Sequence, residues 1–455
     1  MNKFASLGVP ELLVKALSEM GITTPTEIQE KTIPILNSTE DDFIGLAQTG
    51  TGKTAAYALP LLNTINASLN AVQAVILLPT RELSQQITDQ IVLYSKHLSS
   101  VKIECVSGGT PIKPQIKAFK QAVHIIVATP GRLIDLVQKE AIDLSQVNYL
   151  ILDEADEMMN LGFKDDLEKI IKRVPKNHST WLFSATMSGE VMQVVNRFMK
   201  TPIKEVNINK EPKTQIKIDH QYLLVEPIEK FELLAHFLNE NEKDRGIIFC
   251  RTKTAVQKLH KQLATNKFSS GALHGDLPQG LRDRVVEQFK LGQTRILVAS
   301  DVAARGMDFQ DIAYVIHYHL PEVSEVYTHR SGRTARAGKS GISLSFVFKE
   351  ELPQLKLIES ELNIKIHLRS KPESQSIESN KAYLWAMRIL KTKPDLSDKA
   401  LRNKIGDVFK NLSKDELIDR LVTEQLTSNK PLLDPRLSNK PKVYKKPNSE
   451  KKKKV

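Results

Sequence analysis

The sequence contains only two cysteines, Cys105 and Cys250, in 455 residues. They lie far apart in apolar surroundings. That excludes a disulfide framework and a cysteine-built zinc site, and it suits a reducing cytoplasm, where the chain is expected to reside. No run of about 18 apolar residues occurs, so no membrane-spanning helix is expected. The opening MNKFASLGVPELL lacks the long apolar core of a secretory leader. No short-period repeat is visible. The composition of a disordered chain is also absent, because 41% hydrophobic and 26% charged residues are ordinary for a globular protein. At about 100–200 residues per domain, the length suits two or three domains.

The formal net charge is +12, unevenly distributed. Lys430–Val455 holds nine Lys and one Arg against Asp434 and Glu450, a net of +8, which leaves +4 for the rest. A basic balance points to nucleic acid or another anionic surface. Here most of it belongs to a Lys- and Pro-rich tail, residues 429–455, expected to be disordered and to tether nucleic acid non-specifically or merely to solubilise the chain.

Apolar strand-like runs alternate with amphipathic helical stretches. The runs are Phe43–Leu46, Ala74–Leu78, Ile125–Ala128, Val147–Leu152 and Trp181–Phe183, then Gly246–Cys250, Gly271–Leu273, Arg295–Ala299, Ala313–His317 and Ile342–Phe348. Near-continuous apolar runs suit parallel strands covered on both faces, and the helical segments between them imply βαβ units. The pattern predicts an α/β chain with two tandem doubly wound parallel-sheet domains, residues 1–202 and 215–368. Between them lies a linker over 203–214. A polar break at 369–380 precedes a helical extension at 381–428. There, Leu401, Ile405, Val408, Phe409 and Leu412 share a helix face, and Ser413 with Glu416 predicts a capping box. This extension reads as a pack against the second domain or as a module for a homodimer or protein partner.

The chemistry begins at Ala47–Thr54, AQTGTGKT, between a strand-like run and a helical stretch. This is the setting of a phosphate-binding loop. Gly50 and Gly52 let the backbone of Ala47, Gln48, Thr49 and Thr51 turn its N–H groups toward phosphate oxygens. Lys53 would reach the β- and γ-phosphates of ATP, and Thr54 would hold Mg²⁺. The usual pattern opens with Gly, where this chain has Ala47. Asp153 and Glu154 follow the run ending at Leu152. A carboxylate at a parallel-strand end beside such a loop can hold Mg²⁺, and its neighbour can polarise the attacking water. Without the upstream loop the pair would read as a solvated acidic turn. Gln29, in PTEIQ, offers one donor and one acceptor, which match the N6 and N7 edge of adenine and mismatch guanine. Alone it would read as a helix-surface residue.

Asp153-Glu154-Ala155-Asp156 is the DEAD signature, and Phe4–Phe348 resembles the DEAD-box RNA helicases of superfamily two. The resemblance implies two RecA-like domains. It further implies that Phe4, 17 residues before Gly21, stacks on adenine, and that Gly21–Gln29 forms the adenine-reading motif. Elements PTREL, Gly108-Gly109 and TPGR imply RNA contacts by Thr80, Arg81, Gly109, Thr129, Gly131 and Arg132. Elements IFCRT, QGLR and SDVAARGMD imply RNA contacts by Arg251, Thr252, Gln279, Arg282 and Ser300, and a sugar contact by Asp308. Ser184 and Thr186 of SAT, with His329, would couple hydrolysis to unwinding. Arg333 and Arg336 of HRSGRTAR would act as arginine fingers; a spacing of three on a helical turn would aim them alike. Most of the RNA-facing residue types donate to phosphates or 2′-hydroxyls, so sequence-independent, salt-sensitive binding with a preference for RNA is expected.

This sequence departs from the family pattern at Ser300 for Thr, His319 for Asp, Ser331 for Ile and Ala335 for Gly. The implied activity is ATP-dependent unwinding of short RNA duplexes or remodelling of ribonucleoproteins, driven by cleft closure. An ATP-gated RNA clamp and a DNA helicase of the same superfamily are the alternatives.

Overall fold

The computed structural model describes residues 2–48, 50–208, 218–304, 309, 312–335, 340–372, 385–386, 389 and 399–428. The apolar runs form strands, numbered here in chain order. The first lobe carries β1 (Asp42–Leu46), β2 (Ala74–Leu77), β3 (Ile103–Val106), β4 (Ile125–Ala128), β5 (Tyr149–Leu152), β6 (Ser179–Ser184) and β7 (Ile203–Asn207). The second carries β8 (Ile218–Leu224), β9 (Gly246–Cys250), β10 (Ser270–Leu273), β11 (Ile296–Ser300), β12 (Tyr314–His317), β13 (Gly341–Val347) and β14 (His367–Leu368).

Each lobe is one seven-stranded sheet, ordered β3-β4-β2-β5-β6-β1-β7 and β10-β11-β9-β12-β13-β8-β14. Adding seven to each strand number of the first order yields the second, so the lobes repeat one topology, a duplication not visible in the sequence. Every strand pairing is parallel. β1, β2, β4, β6, β9 and β12 are buried throughout, which is why they read as unbroken apolar runs.

The linker expected over 203–214 starts later than the sequence suggests. Ile203–Asn207 pairs with β1 from Asp42↔Ile203 to Leu46↔Asn207. As an edge strand with exposed Lys204 and Glu205, it carries charges that a central strand would not hold. Residues 209–217 lie outside the described residues, as does the tail from 429 onward.

Both sheets fall within one compact unit, Met1–Lys230 with Asn241–Ser370. A second unit, Phe231–Glu240 with Lys371–Val455, includes the helices Lys399–Phe409 and Lys414–Ser428. The expected capping box is formed there: Ser413 N–H donates to Glu416 at 2.9 Å and Glu416 N–H to Ser413 Oγ at 3.1 Å. Leu412 falls beyond the end of the first of these helices, so it does not extend that helix face. Among the described residues, no helix is long and apolar enough to cross a membrane.

Candidate active site and nucleic-acid interface

Strand order sorts the functional residues. β5, β6 and β1 are neighbours, so the residues after their C-terminal ends gather: Asp153 and Glu154, the SAT element, and the loop that begins at Ala47. On the other half, β3, β4 and β2 bring Gly109, Thr129 with Arg132, and Thr80 with Arg81 together. The second sheet repeats the division. Gln279 follows β10, Ser300 ends β11, and Arg251 and Thr252 follow β9, while His329 and Arg333 follow β12.

The loop before the helix Lys53–Thr64 closes on itself through Thr51 Oγ1, which donates to the Gln48 carbonyl at 2.7 Å. Gly52 has φ +93°, and a Cβ there would lie 2.3 Å from Gln29 Nε2, so both backbone and space require glycine. The helix Glu27–Ser38 begins with a capping box in which Gln29 accepts from the Thr26 N–H at 2.9 Å. Thr26 Oγ1 donates to the Thr51 carbonyl at 2.7 Å and Gln29 Nε2 to that of Gly52 at 2.9 Å. Gln29 therefore splints the loop. Among the described residues Oε1 and Nε2 each make one of these bonds to backbone, and an amide has a second lone pair and a second hydrogen that suit an adenine edge.

Lys53 is 7% exposed, and its Nζ has no hydrogen-bonding partner among the described residues. A buried ammonium without a partner is costly, and a triphosphate is the kind of ligand that would satisfy it. Facing it, burial raises the pKa of Asp153 and of Glu154, and the Lys53 charge opposes the rise in both. Glu154 has φ +51°, a left-handed backbone that a non-glycine residue rarely adopts and that often marks a functional site. Among the described residues no cluster of three or more His, Cys, Asp or Glu could hold a metal ion alone. Mg²⁺ does not need one, since it is commonly bound by one or two protein oxygens completed by phosphates and water, a donor set that Thr54 and Asp153 fit.

Several expectations need correction. Phe4 is 0% exposed within the first lobe's core, so its ring has no face to offer adenine; it anchors the N-terminal segment. Ala47 is buried and its N–H donates to the Ser184 carbonyl at 3.0 Å, which makes it a core residue, not a phosphate ligand. The helix Ser324–Ser331 ends before Arg333, so the helical-spacing argument for Arg333 with Arg336 does not apply. Thr49, Asp308 and Arg336 lie outside the described residues.

Arg333 is 7% exposed, its Nε donates to the His329 carbonyl at 3.2 Å, and its charge lowers the pKa of Glu154 in the opposite lobe. His329 Nδ1 meets Glu157 Oε1, and its Nε2 lies 3.8 Å from Asp156 Oδ2. Asp156 Oδ2 accepts from Thr186 N–H and Oγ1, both at 3.0 Å, and Ser184 Oγ donates to the Thr186 carbonyl at 2.7 Å. The acidic motif and the SAT element are joined by hydrogen bonds, and His329 of the second lobe meets them through ionic contacts with Asp156 and Glu157, the latter a member that the sequence does not single out.

Burial opposes protonation of His329, but Glu157, Asp156 and Glu154 outweigh it and raise the pKa. A histidine so raised lends stability that is complete below its unfolded value and is lost as pH rises through the raised value. Contact between the lobes is therefore expected to weaken as pH climbs above the usual histidine range. Energy transfer between dyes on the two lobes should fall accordingly, and His329→Asn should flatten the dependence.

The expected RNA residues divide into two groups. Thr80 and Thr252 cap the helices Arg81–Tyr94 and Lys253–Thr265 by accepting from Leu83 and Ala255 N–H groups. Thr129 precedes Pro130 at the start of the helix Pro130–Gln138, which includes Gly131. Gln279 opens the helix Gln279–Lys290, and Ser300 ends β11. These helix starts suit phosphate. Gly109 has φ +83° and lies so close to Arg81 that a Cβ would clash with its guanidinium. Arg251 is half exposed near Glu322 and Glu351.

Two arginines instead serve the protein. Arg132 donates to the Thr110 carbonyl at 3.1 Å and to Gln115 at 3.0 Å, bracing the loop that carries Gly109. Arg282 Nε lies 2.8 Å from Glu82 Oε1 of the first lobe, and Arg282 also donates to the Ala303 carbonyl. Arg81 donates to Gln279 across the same seam at 3.2 Å.

The departures also have physical readings. Ser331 Oγ joins His317 Nε2 at 3.2 Å and Ser343 Oγ at 2.8 Å, so its hydroxyl completes a buried polar cluster beneath the helix Ser324–Ser331. Ala335 keeps φ +58°, a conformation that favours glycine. Burial, then Lys230, Arg251 and Arg330, push the His319 pKa down to about 4, so it is neutral near pH 7 where an aspartate would carry a charge.

Two parallel sheets of one topology, a phosphate loop, an acidic pair and an opposing arginine define a two-lobed nucleotide hydrolase. Residues 26–194 match the DEAD/DEAH box helicase family, residues 229–338 the helicase conserved C-terminal domain, and residues 377–429 the helical domain of probable ATP-dependent RNA helicases. The chain belongs to the DEAD-box family of superfamily-two ATP-dependent RNA helicases, enzymes that hydrolyse ATP. It is 42% identical to the ATP-dependent RNA helicase CshA of Listeria monocytogenes over 79% of this chain and 68% of that protein. It is 37% identical to CshA of Limosilactobacillus reuteri over 93% and 80%. The structure of S. cerevisiae Dbp5 bound to RNA and ADP BeF3 matches with a TM-score of 0.75 at 28% identity, covering 86% of this chain and 100% of that one. Mss116p bound to ssRNA and AMP-PNP matches with a TM-score of 0.74 at 31% identity, covering 93% and 90%.

Proposed function

We propose that this protein separates short RNA duplexes, or strips proteins from RNA, by cycling its two lobes between open and closed arrangements under ATP control. The observation that carries the reading is Arg333, a buried guanidinium of the second lobe whose charge acts on Glu154 of the first.

In this reading ATP lies on the loop Gln48–Thr54, with Lys53 on its β- and γ-phosphates and the remaining donor and acceptor of Gln29 on adenine. Thr54 and Asp153 would hold Mg²⁺, which when bound would supply charge neutralisation at the phosphates. Glu154 accepts a proton from the attacking water, and Arg333 reaches the γ-phosphate only when the lobes meet. RNA phosphates and 2′-hydroxyls take the donors around Thr80, Arg81, Thr129, Arg251 and Thr252. ATP and RNA both favour the closed arrangement, so each must raise the affinity of the other by the same factor. Hydrolysis and phosphate release reopen the cleft.

Glu82 and Arg282 make a latch for closure, because both side chains are largely buried where they meet. Breaking such a pair strands a charge. Arg282→Glu alone is expected to lower RNA affinity in the presence of an ATP analogue by about tenfold or more, and Glu82→Arg in the same chain should restore most of it. Fluorescence anisotropy of labelled RNA measures both. Strand displacement separates helicase from clamp: a labelled short duplex should come apart with ATP faster than with no nucleotide. An equal rate in the two conditions supports the clamp reading.

A further inference from the structure

Tyr57 lies one helical turn after Lys53, on the same face of the helix Lys53–Thr64. Its ring is wholly buried against Phe183, with ring centroids 5.1 Å apart. Its hydroxyl donates to Asp153 Oδ2 at 3.0 Å, and the Thr54 side chain is also within its hydrogen-bonding reach. Asp153 Oδ1 accepts from the Glu154 N–H at 2.9 Å. The carboxylate is thus held by one donor on each oxygen, which fixes its plane and leaves one lone pair on each oxygen directed elsewhere.

We infer that Tyr57 is a positioning residue for the divalent cation: it ties the two side chains proposed to hold Mg²⁺, Thr54 and Asp153, into one preset arrangement. A phenylalanine would fill the same space in the core, so packing does not call for the hydroxyl. A hydroxyl buried at this depth costs free energy unless bonded, and its partner here is the carboxylate beside the phosphate loop. Supports of this kind orient metal ligands, and their loss weakens metal affinity by roughly 10–100-fold. The inference rests on the proposed placement of Mg²⁺ at Thr54 and Asp153.

The test is Tyr57→Phe in the full chain, read by equilibrium binding of a fluorescent ADP at stepped free Mg²⁺ and in excess chelator. Wild-type protein should bind more tightly as Mg²⁺ rises. The variant should match wild type in chelator and need about tenfold more Mg²⁺ or higher for half of the gain. Thermal melting of the ligand-free variant within a few degrees of wild type shows that the core is intact. Equal Mg²⁺ requirements in both proteins would overturn the role of Tyr57 while leaving the metal site standing. A variant that loses affinity equally in chelator and in Mg²⁺ would make the tyrosine a packing residue. Wild-type binding indifferent to Mg²⁺ would overturn the metal placement and this inference with it.

Discussion

Replacing Arg333 with alanine is expected to slow RNA-stimulated ATP turnover by roughly 10³–10⁵-fold, the range an arginine finger supplies. That corresponds to about 4–7 kcal/mol of barrier. The size follows from geometry. Arg333 is buried, comes from the lobe opposite the phosphate loop, and lies within electrostatic range of Glu154. Charge developing on the transferred phosphoryl group in a dry cleft is stabilised far more than in water. Arg333→Lys should recover little, because an ammonium lacks the planar fork that grips two phosphate oxygens. RNA affinity without nucleotide should stay near wild type. Single-turnover hydrolysis with saturating RNA makes the measurement, and a loss under tenfold would remove Arg333 from the reaction.

Glu154→Gln should cut hydrolysis by roughly 10²–10⁴-fold while ATP and RNA still bind, since the amide keeps the shape and loses the base. A long-lived complex with both ligands should then accumulate, visible as slow RNA release in the presence of ATP. The pKa of Glu154 is raised first by burial and then by Asp153 and Glu157, against the lowering by Lys53 and Arg333. The base acts only when ionised, so the rate should fall with decreasing pH through a value above that of an ordinary glutamate. Removing Arg333 deletes a lowering influence and should move that limb higher still. A carboxyl whose pKa is raised on folding destabilises the fold once the pH exceeds the unfolded value. Glu154→Gln should therefore melt at a higher temperature than wild type near pH 7 without ligands.

What the sequence reveals here depends on whether a feature is contiguous. Central strands such as Ile125–Ala128 are buried on both faces and read directly as apolar runs. Ile103–Val106, Ile203–Asn207 and Ile218–Leu224 escape that reading because they are partly exposed and interrupted by Glu104, Lys204, Glu205, Asp219, His220 and Gln221. The loop AQTGTGKT and the pair Asp153-Glu154 are local motifs, so their roles can be proposed from sequence. Side-chain partnerships over long range cannot. Tyr57 and Asp153 are 96 positions apart, Arg81 and Gln279 198 apart. Arg282 looks like an RNA contact until Glu82 is found against it. Phe4 misleads for the same reason, because nothing local to a lone aromatic says which surface will cover it.

An ATP site completed by lobe closure over RNA is the centre of the proposed mechanism. Steady-state ATP hydrolysis by the full chain, alone, with single-stranded RNA and with DNA of equal length, tests it most directly. Low turnover alone, a large increase with RNA that diminishes with added salt, and little response to DNA are expected. Equal stimulation by DNA, or a rate indifferent to both, would contradict it.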